Sequence, residues 1–286
     1  MYRLIGGKSP ILDITKAQAK ALEKALNRMD DGRGTRDEIV SRLSEQSELS
    51  SIIPSVLHFK VYVGMRYWRP FIEDAVRQMH GEGIRSALAI SLYPHYSLAT
   101  TGSAMERFHE VIREYPMESS SISSWYDHPL YIDALVESIR KGLELFGDGA
   151  EVLFSAHSLP MSIVEAGDPY VSHIQATIDE VVKKTGIKWH LSYQSKSGPV
   201  KWLAPSTEEK IKELAVDGVK NLLVAPISFV SDHIETLYEI DILYKRLAET
   251  VGMKLIRAES LNANPLFINA LKEMALKKTR EMGWTG

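Results

Sequence analysis

Apolar positions along this chain fall in short blocks whose spacing switches between two periods. Ile14 to Met29 repeats at helical spacing, with Asp13 placed as N-cap and Asp30-Asp31-Gly32 as the stop. Val56 to Met65 alternates as a strand does, and Pro70 to His80 predicts a helix closed by Gly81. Arg85 to Leu92 reads as an apolar strand ending in Tyr93-Pro94-His95-Tyr96-Ser97, after which Thr101-Gly102-Ser103 opens a helix. Tyr131 to Phe146 is a further helix that stops at Gly147-Asp148-Gly149. The order then restarts. Strands are expected at Glu151 to Ala156, Lys188 to Gln194, Asn221 to Phe229 and Lys254 to Ala258. Helices are expected at Asp168 to Thr185, Ser206 to Val216, from Asp232 through Leu247, and at Asn264 to Met282.

Strand and helix alternate throughout, which predicts an α/β fold with mostly parallel sheets covered by helices on both faces. The restart near Gly147 predicts two similar doubly wound, Rossmann-like domains with a cleft between them, residues 1–148 and 149–286. The closing helix is placed to pack back on the first domain. In such sheets ligands bind beyond the carboxyl ends of the strands. Tyr93, His157 and His233 all fall just past predicted strand ends, so one cleft can gather them.

Composition narrows the chemistry. The chain has 286 residues, 44% apolar and 25% charged, the balance of a soluble globular protein. A net charge of −3 and the lack of a basic run argue against nucleic acid as a partner. There are no cysteines, which excludes disulfides, thiolate zinc sites and cysteine-ligated iron–sulfur clusters. No stretch approaches the ~20 apolar residues of a membrane span, and the first residues lack a signal-peptide layout, so the cytoplasm is the expected compartment.

Ser231-Asp232-His233-Ile234-Glu235-Thr236-Leu237-Tyr238-Glu239 carries the strongest chemical signal. It follows an apolar run and opens a helical pattern that puts Glu235 and Glu239 one turn apart, with Tyr238 beside them. Two carboxylates that close raise each other's pKa unless a positive charge, a metal ion or a proton in transit, lies between them. The plainer alternative makes Asp232 an N-cap, Glu235 the third residue of a capping box and Glu239 a solvated acid; taken alone, the segment leans slightly that way.

Other clusters carry similar pairs of readings. His157 ends an apolar strand in Phe154-Ser155-Ala156-His157-Ser158-Leu159-Pro160, where a general base or a structural imidazole is equally at home, the second being commoner for a lone His. In Tyr193-Gln194-Ser195-Lys196-Ser197-Gly198-Pro199, Ser195 and Lys196 suit a carboxylate, and Trp202 downstream either covers a flat ligand or packs on the core. The hydroxyls from Ser91 to Ser103 suit either an anion or ordinary capping.

Several of these segments together resemble the ferrochelatase family. Phe154 to Tyr170 (FSAHSLPMSIVEAGDPY) is similar to that family's signature around its active-site His, and Tyr193 to Thr207 (YQSKSGPVKWLAPST) to its QSKxGPxxWLxPxT loop. Pro226 to Tyr244 (PISFVSDHIETLYEIDILY) resembles its second active-site motif. Val63 to Pro70 (VGMRYWRP), Ser91 to Ser103, Ser121 to His128 (SISSWYDH) and Arg257 to Leu266 (RAESLNANPL) match in the same order.

The resemblance implies a lyase of haem biosynthesis that inserts ferrous iron into a porphyrin and releases two protons. Protoporphyrin IX is the expected substrate and coproporphyrin III the close alternative. Iron is then a substrate, and no permanently bound cofactor is expected. It implies His157 as proton acceptor or last metal ligand, Glu235 as its acidic partner, and His233 and Glu239 as an extension of a polar path for metal or protons. Imidazole and carboxylate suit Fe(II) without trapping it. Arg66, Tyr67, Tyr93 and Trp125 match positions near the porphyrin pocket, and charge alone assigns Ser195 and Lys196 to propionates. A peripheral membrane contact, or contact with other haem-pathway enzymes, fits a poorly soluble substrate; oligomeric state is not predicted.

The sequence departs from the family pattern in three places. Leu243 stands where a third acid is usual, with Asp241 nearby on another face. The apolar strand, Gly-Gly-Pro loop and porphyrin lip that usually precede the Ile5-Gly6-Gly7 region are expected to be missing, and a cysteine-bearing tail is absent. Readings of another class are an impaired or noncatalytic tetrapyrrole binder and a hinged small-ligand protein. A nucleotide enzyme is disfavoured, since no phosphate-binding glycine loop is present.

Overall fold

In the second half of the chain, apolar strands follow one another at intervals filled by amphipathic helices, and this sets the architecture. The computed structural model describes residues 1–28 and 58–284. Four strands, β3 (Ala150–His157), β4 (Trp189–Gln194), β5 (Asn221–Pro226) and β6 (Lys254–Arg257), form a parallel sheet in the order β4-β3-β5-β6. Earlier in the chain, β1 (Ser86–Ile90) and β2 (Glu118–Ile122) pair in parallel.

The four-stranded sheet is covered on both faces, so its inner strands β3 and β5 read as apolar runs instead of alternating ones. Val152, Phe154, Ala156, Leu223 and Ala225 face one apolar cluster. That cluster is completed by α4 (Pro129–Glu144), α6 (Tyr170–Thr185) and α9 (Pro265–Glu281). Leu153, Leu222, Val224 and Leu255 face a second cluster built with α7 (Thr207–Val216), α8 (Lys245–Thr250) and the helix that precedes α8. α9 also packs on β1 and on α1 (Ile11–Leu26), joining the two halves of the chain. A third cluster sets β1 against α2 (Ile72–Gly81) and α3 (Ser103–Ile112).

Several elements differ from the sequence expectation. α1 begins at Ile11, so Asp13 lies inside the first turn and pairs with Lys8 at 2.7 Å instead of capping. Its expected stop at Asp30-Asp31-Gly32, like Val56 of the expected strand, falls outside the described residues. Residues 58–64 form no ladder. Their backbone is held by side chains of α1 and its end: Glu23 accepts from the Val61 N–H at 2.7 Å, and Asn27 bonds both polar groups of Phe59.

β2 was not expected, because Glu118-Ser119-Ser120-Ser121 has no apolar run to announce it. A short helix, α5 (Met161–Glu165), lies between β3 and the helix expected from Asp168, where no helix is expected. The largest difference lies after β5. The strand stops at Pro226, and Glu235–Tyr244 winds as a π-helix, not as the ordinary helix expected. This winding occurs mostly as single turns and frequently at functional sites.

Close packing of α4 on β5 fixes the sheet beneath the site. A Cβ at Gly142 would lie 2.6 Å from Leu223 Cδ1, which is fully buried. Gly142→Val is therefore expected to destabilise the fold by about 1–3 kcal/mol through overpacking. An unchanged urea midpoint would show that the helix can back away.

Candidate active site

Adjacent parallel strands end side by side, and β3 and β5 are in register through Ser155 and Pro226. The residues just beyond them therefore meet. His157 ends β3, and its Nδ1 lies 2.9 Å from Glu235 Oε2 on the first turn of the π-helix. The backbone of His157 is fixed on both sides: its N–H donates to Ser228 Oγ at 2.8 Å, and Tyr170 Oη donates to its carbonyl at 2.9 Å.

This geometry decides against the capping alternative. The Glu235 carboxylate points at His157 and Ser195, not at a helix N–H, while Asp232 is occupied by Arg257, Ser260 and Asn262. Burial alone would raise the Glu235 carboxyl. The hydrogen bond and charge of His157, with His233 and the Ser195 hydroxyl, outweigh it and hold the group below the ordinary glutamate range. For Glu239 the balance reverses: burial first, then the Glu235 charge, raise its carboxyl against the Ser195 hydrogen bond.

Ser195 joins the two acids. Its Oγ lies 2.8 Å from Glu235 Oε2 and 2.7 Å from Glu239 Oε2, so one hydroxyl serves both. To reach them the residue adopts φ 64°, a left-handed conformation that favours glycine. Gln194 supports the same pair, its Nε2 lying 3.3 Å from the Glu235 carbonyl and 3.4 Å from Glu239 Oε2. The hydroxyl expected to meet a propionate is here engaged by these two acids.

His233 is buried; its Nδ1 meets the Ser231 carbonyl at 2.9 Å, and its Nε2 has no hydrogen-bond partner and lies 3.9 Å from Glu235 Oε2. Burial lowers its pKa and favours neutral imidazole. Among the described residues, no three His, Asp or Glu side chains converge as a ready metal cage.

A cleft of about 110 Å³ opens onto His157 and Glu235, walled by Tyr93, His95, Thr100, Leu159, Tyr170, Ser228 and Phe229. Phe229 packs against His157, His233 and Tyr93, with ring centroids 5.8, 4.1 and 6.4 Å away. The Tyr93 phenol is pushed up by burial, then by the Glu235 carboxylate and the Tyr67 phenol. His95 is fully enclosed, and burial drives its imidazole down to about 3.

The remaining expected residues lie around this centre. Arg66 sits over the Tyr67 ring at 5.0 Å, and its Nε donates to Ser103 Oγ at 3.1 Å. Tyr67 is 72% exposed and Lys196 is exposed as well. Trp125 lies in the core, bonded through its indole N–H to the Ser91 carbonyl at 2.7 Å, so it supports the Tyr93 loop from behind. Ser91 and Thr101 bond each other at 2.9 Å, which leaves them no role as an open anion site. Asp241 does not replace the missing third acid: both its oxygens are taken by Arg257 at 2.9 Å. Leu243 is half exposed.

Sequence reasoning missed Phe229, Ser228, Gln194 and Tyr170. Phe229 and Ser228 were absorbed into an expected strand; Pro226, at which the strand ends, was the available signal.

The ferrochelatase family model matches residues 1–279. The chain belongs to the ferrochelatase family. It is 47% identical to the ferrochelatase of Geotalea daltonii over 96% of this chain and 78% of that one. It is 42% identical to that of Gloeobacter violaceus over 96% and 80%. The structure of SirB from Bacillus subtilis with Fe3+ shares the fold, with a TM-score of 0.56 over 80% of this chain and 87% of that one, at 15% identity. A second structure, the sirohydrochlorin chelatase SirB from Bacillus subtilis subspecies spizizenii in complex with cobalt, gives 0.53 at 13% identity, covering 89% and 91%. As a ferrochelatase the protein is a lyase of haem biosynthesis that inserts ferrous iron into a porphyrin.

The depressed Glu235 carboxyl gives a pH signature. A carboxyl whose folded value lies below its unfolded one stabilises the fold above the ordinary glutamate range, and the increment is lost as pH falls through the folded value. The urea-unfolding difference between wild type and Glu235→Gln is expected to shrink from about pH 7 to about pH 3. A difference that stays flat would show that Glu235 gains nothing from His157.

Proposed function

We propose that this ferrochelatase acts on protoporphyrin IX, with His157 taking the pyrrole protons and Glu235 holding His157 for that task. The observation that carries the reading is the 2.9 Å contact between His157 Nδ1 and Glu235 Oε2 at the mouth of the cleft. An ionised Glu235 accepts the Nδ1–H, which leaves Nε2 with its lone pair as the acceptor. Proton uptake there creates an imidazolium that the adjacent carboxylate stabilises.

Insertion exchanges two pyrrole protons for one ferrous ion, so protons must leave the site as metal enters. Glu235, Ser195 and Glu239 form a continuous polar line away from His157. His157, Glu235, His233 and Glu239 are the groups that meet the incoming ion. Nitrogen and carboxylate donors that, among the described residues, do not close into a three-ligand cage suit an ion that must be released to the macrocycle. Tyr93 lies in the cleft wall, and Arg66 and Tyr67 meet the porphyrin margin, with Lys196 on a propionate. Trp125 acts through the loop it supports. Among the described residues no helix is long and apolar enough to cross a membrane, and cytoplasmic residence belongs to the same reading.

Coproporphyrin III is the second substrate to test, because the acidic margin differs while the central nitrogens do not. Anaerobic insertion of ferrous iron or zinc is measured with each porphyrin in parallel by the change in visible spectrum. Faster turnover with protoporphyrin IX is the expected result, and turnover with coproporphyrin III alone would reassign the substrate. His157→Ala should lower kcat by about 100-fold or more while porphyrin binding persists, the scale of a lost general base. A wild-type rate in His157→Ala would remove His157 from the chemistry.

A further inference from the structure

A largely buried arginine outside the cleft has no part in the chemistry above, yet it holds the segment that carries the acids at two points, one before the π-helix and one within it. Arg257 lies on β6 and is largely buried. Its Nε and Nη2 donate to the two oxygens of Asp241, each at 2.9 Å. Its Nη1 donates to Asp232 Oδ1 at 2.9 Å and to Ser260 Oγ at 3.1 Å. Asp232 is fixed further by Ser260 Oγ at 2.8 Å and Asn262 Nδ2 at 3.0 Å, and its own N–H donates to Asn262 Oδ1 at 2.9 Å.

The two anchors bracket the functional acids. Asp232 precedes Glu235 by three residues, and Asp241 follows Glu239 by two. Between the anchors the chain takes up π-winding, and α-winding resumes at Lys245, a few residues beyond the second anchor. Uncommon backbone states persist where the surroundings over-determine them. A planar fork that binds two carboxylates at fixed spacing is a suitable external brace, and a lysine cannot replace it geometrically.

We infer that Arg257 is a positioning residue for metal insertion: by tying Asp232 to Asp241 it holds the intervening segment in place, so that Glu235 and Glu239 both stay on Ser195. This rests on the assignment of the two acids made above. The test uses Arg257→Lys, Asp241→Asn and Asp241→Glu. Zinc insertion into protoporphyrin IX gives kcat and the KM for zinc, porphyrin fluorescence gives the affinity, and amide exchange reports residues 236–244.

Arg257→Lys and Asp241→Asn are expected to lower kcat about tenfold, a loss of about 1.4 kcal/mol in transition-state stabilisation, with porphyrin affinity unchanged. Exchange should rise at 236–244 and not in β3 or β5. Asp241→Glu, which keeps a carboxylate, should recover most of the rate. Asp241 is partly exposed, so its variants carry the test if Arg257→Lys fails to fold. The inference is overturned if Asp241→Asn keeps kcat within about twofold of wild type, or if the rate falls only together with porphyrin binding and protection in β3 and β5. Failure of wild type itself to insert zinc would strike the functional reading instead, and the exchange data would still decide whether the brace holds the helix.

Discussion

The contact between His157 and Glu235 joins two chain segments that are far apart in sequence, and its precision is inherited from the sheet below. β3 and β5 are parallel neighbours, so their carboxyl ends lie side by side and a residue at each can meet the other. The sheet is covered on both faces, which leaves it little freedom to shear. Ser228 and Tyr170 then fix the His157 backbone from opposite sides. The base role proposed for His157, toward a rigid planar ligand, would depend on such placement more than on any feature of the imidazole itself.

Order around this pair is maintained against local preference. Ser195 occupies a left-handed conformation without being glycine, and the helix that carries the two acids is π-wound. The first departure brings one hydroxyl onto both carboxylates. The surroundings supply the restraint: Gln194 beside Ser195, and the network of Asp232, Asp241, Ser260 and Asn262 around Arg257. Sites that violate local rules are where a fold's stability is put to chemical use.

Much of the architecture could be read from the chain because burial on two faces leaves an unmistakable trace. β3 and β5 are continuous apolar runs, and the helices between them carry clear stripes. β2 was invisible for the opposite reason: a serine-rich strand at a sheet edge has no apolar face to display. The site was legible through its strand-end His and paired acids. The winding of Glu235–Tyr244 was not, since its side chains satisfy an α-helical pattern. Ser195 was assigned to a ligand because a loop hydroxyl next to a lysine looks available; its engagement by two acids distant in sequence has no local signature.

The cleft formed by the described residues measures about 110 Å³, below the range that encloses a whole small-molecule ligand. On the proposed assignment, a macrocycle seated there would present its centre to His157 and leave most of its rim outside. Discrimination between porphyrins that share a core and differ at their edges would then fall on exposed groups such as Arg66, Tyr67 and Lys196. Choice of metal would fall on the buried imidazoles and carboxylates. The two selectivities would occupy separate parts of the molecule, so substitutions at the rim could retune one without disturbing the other.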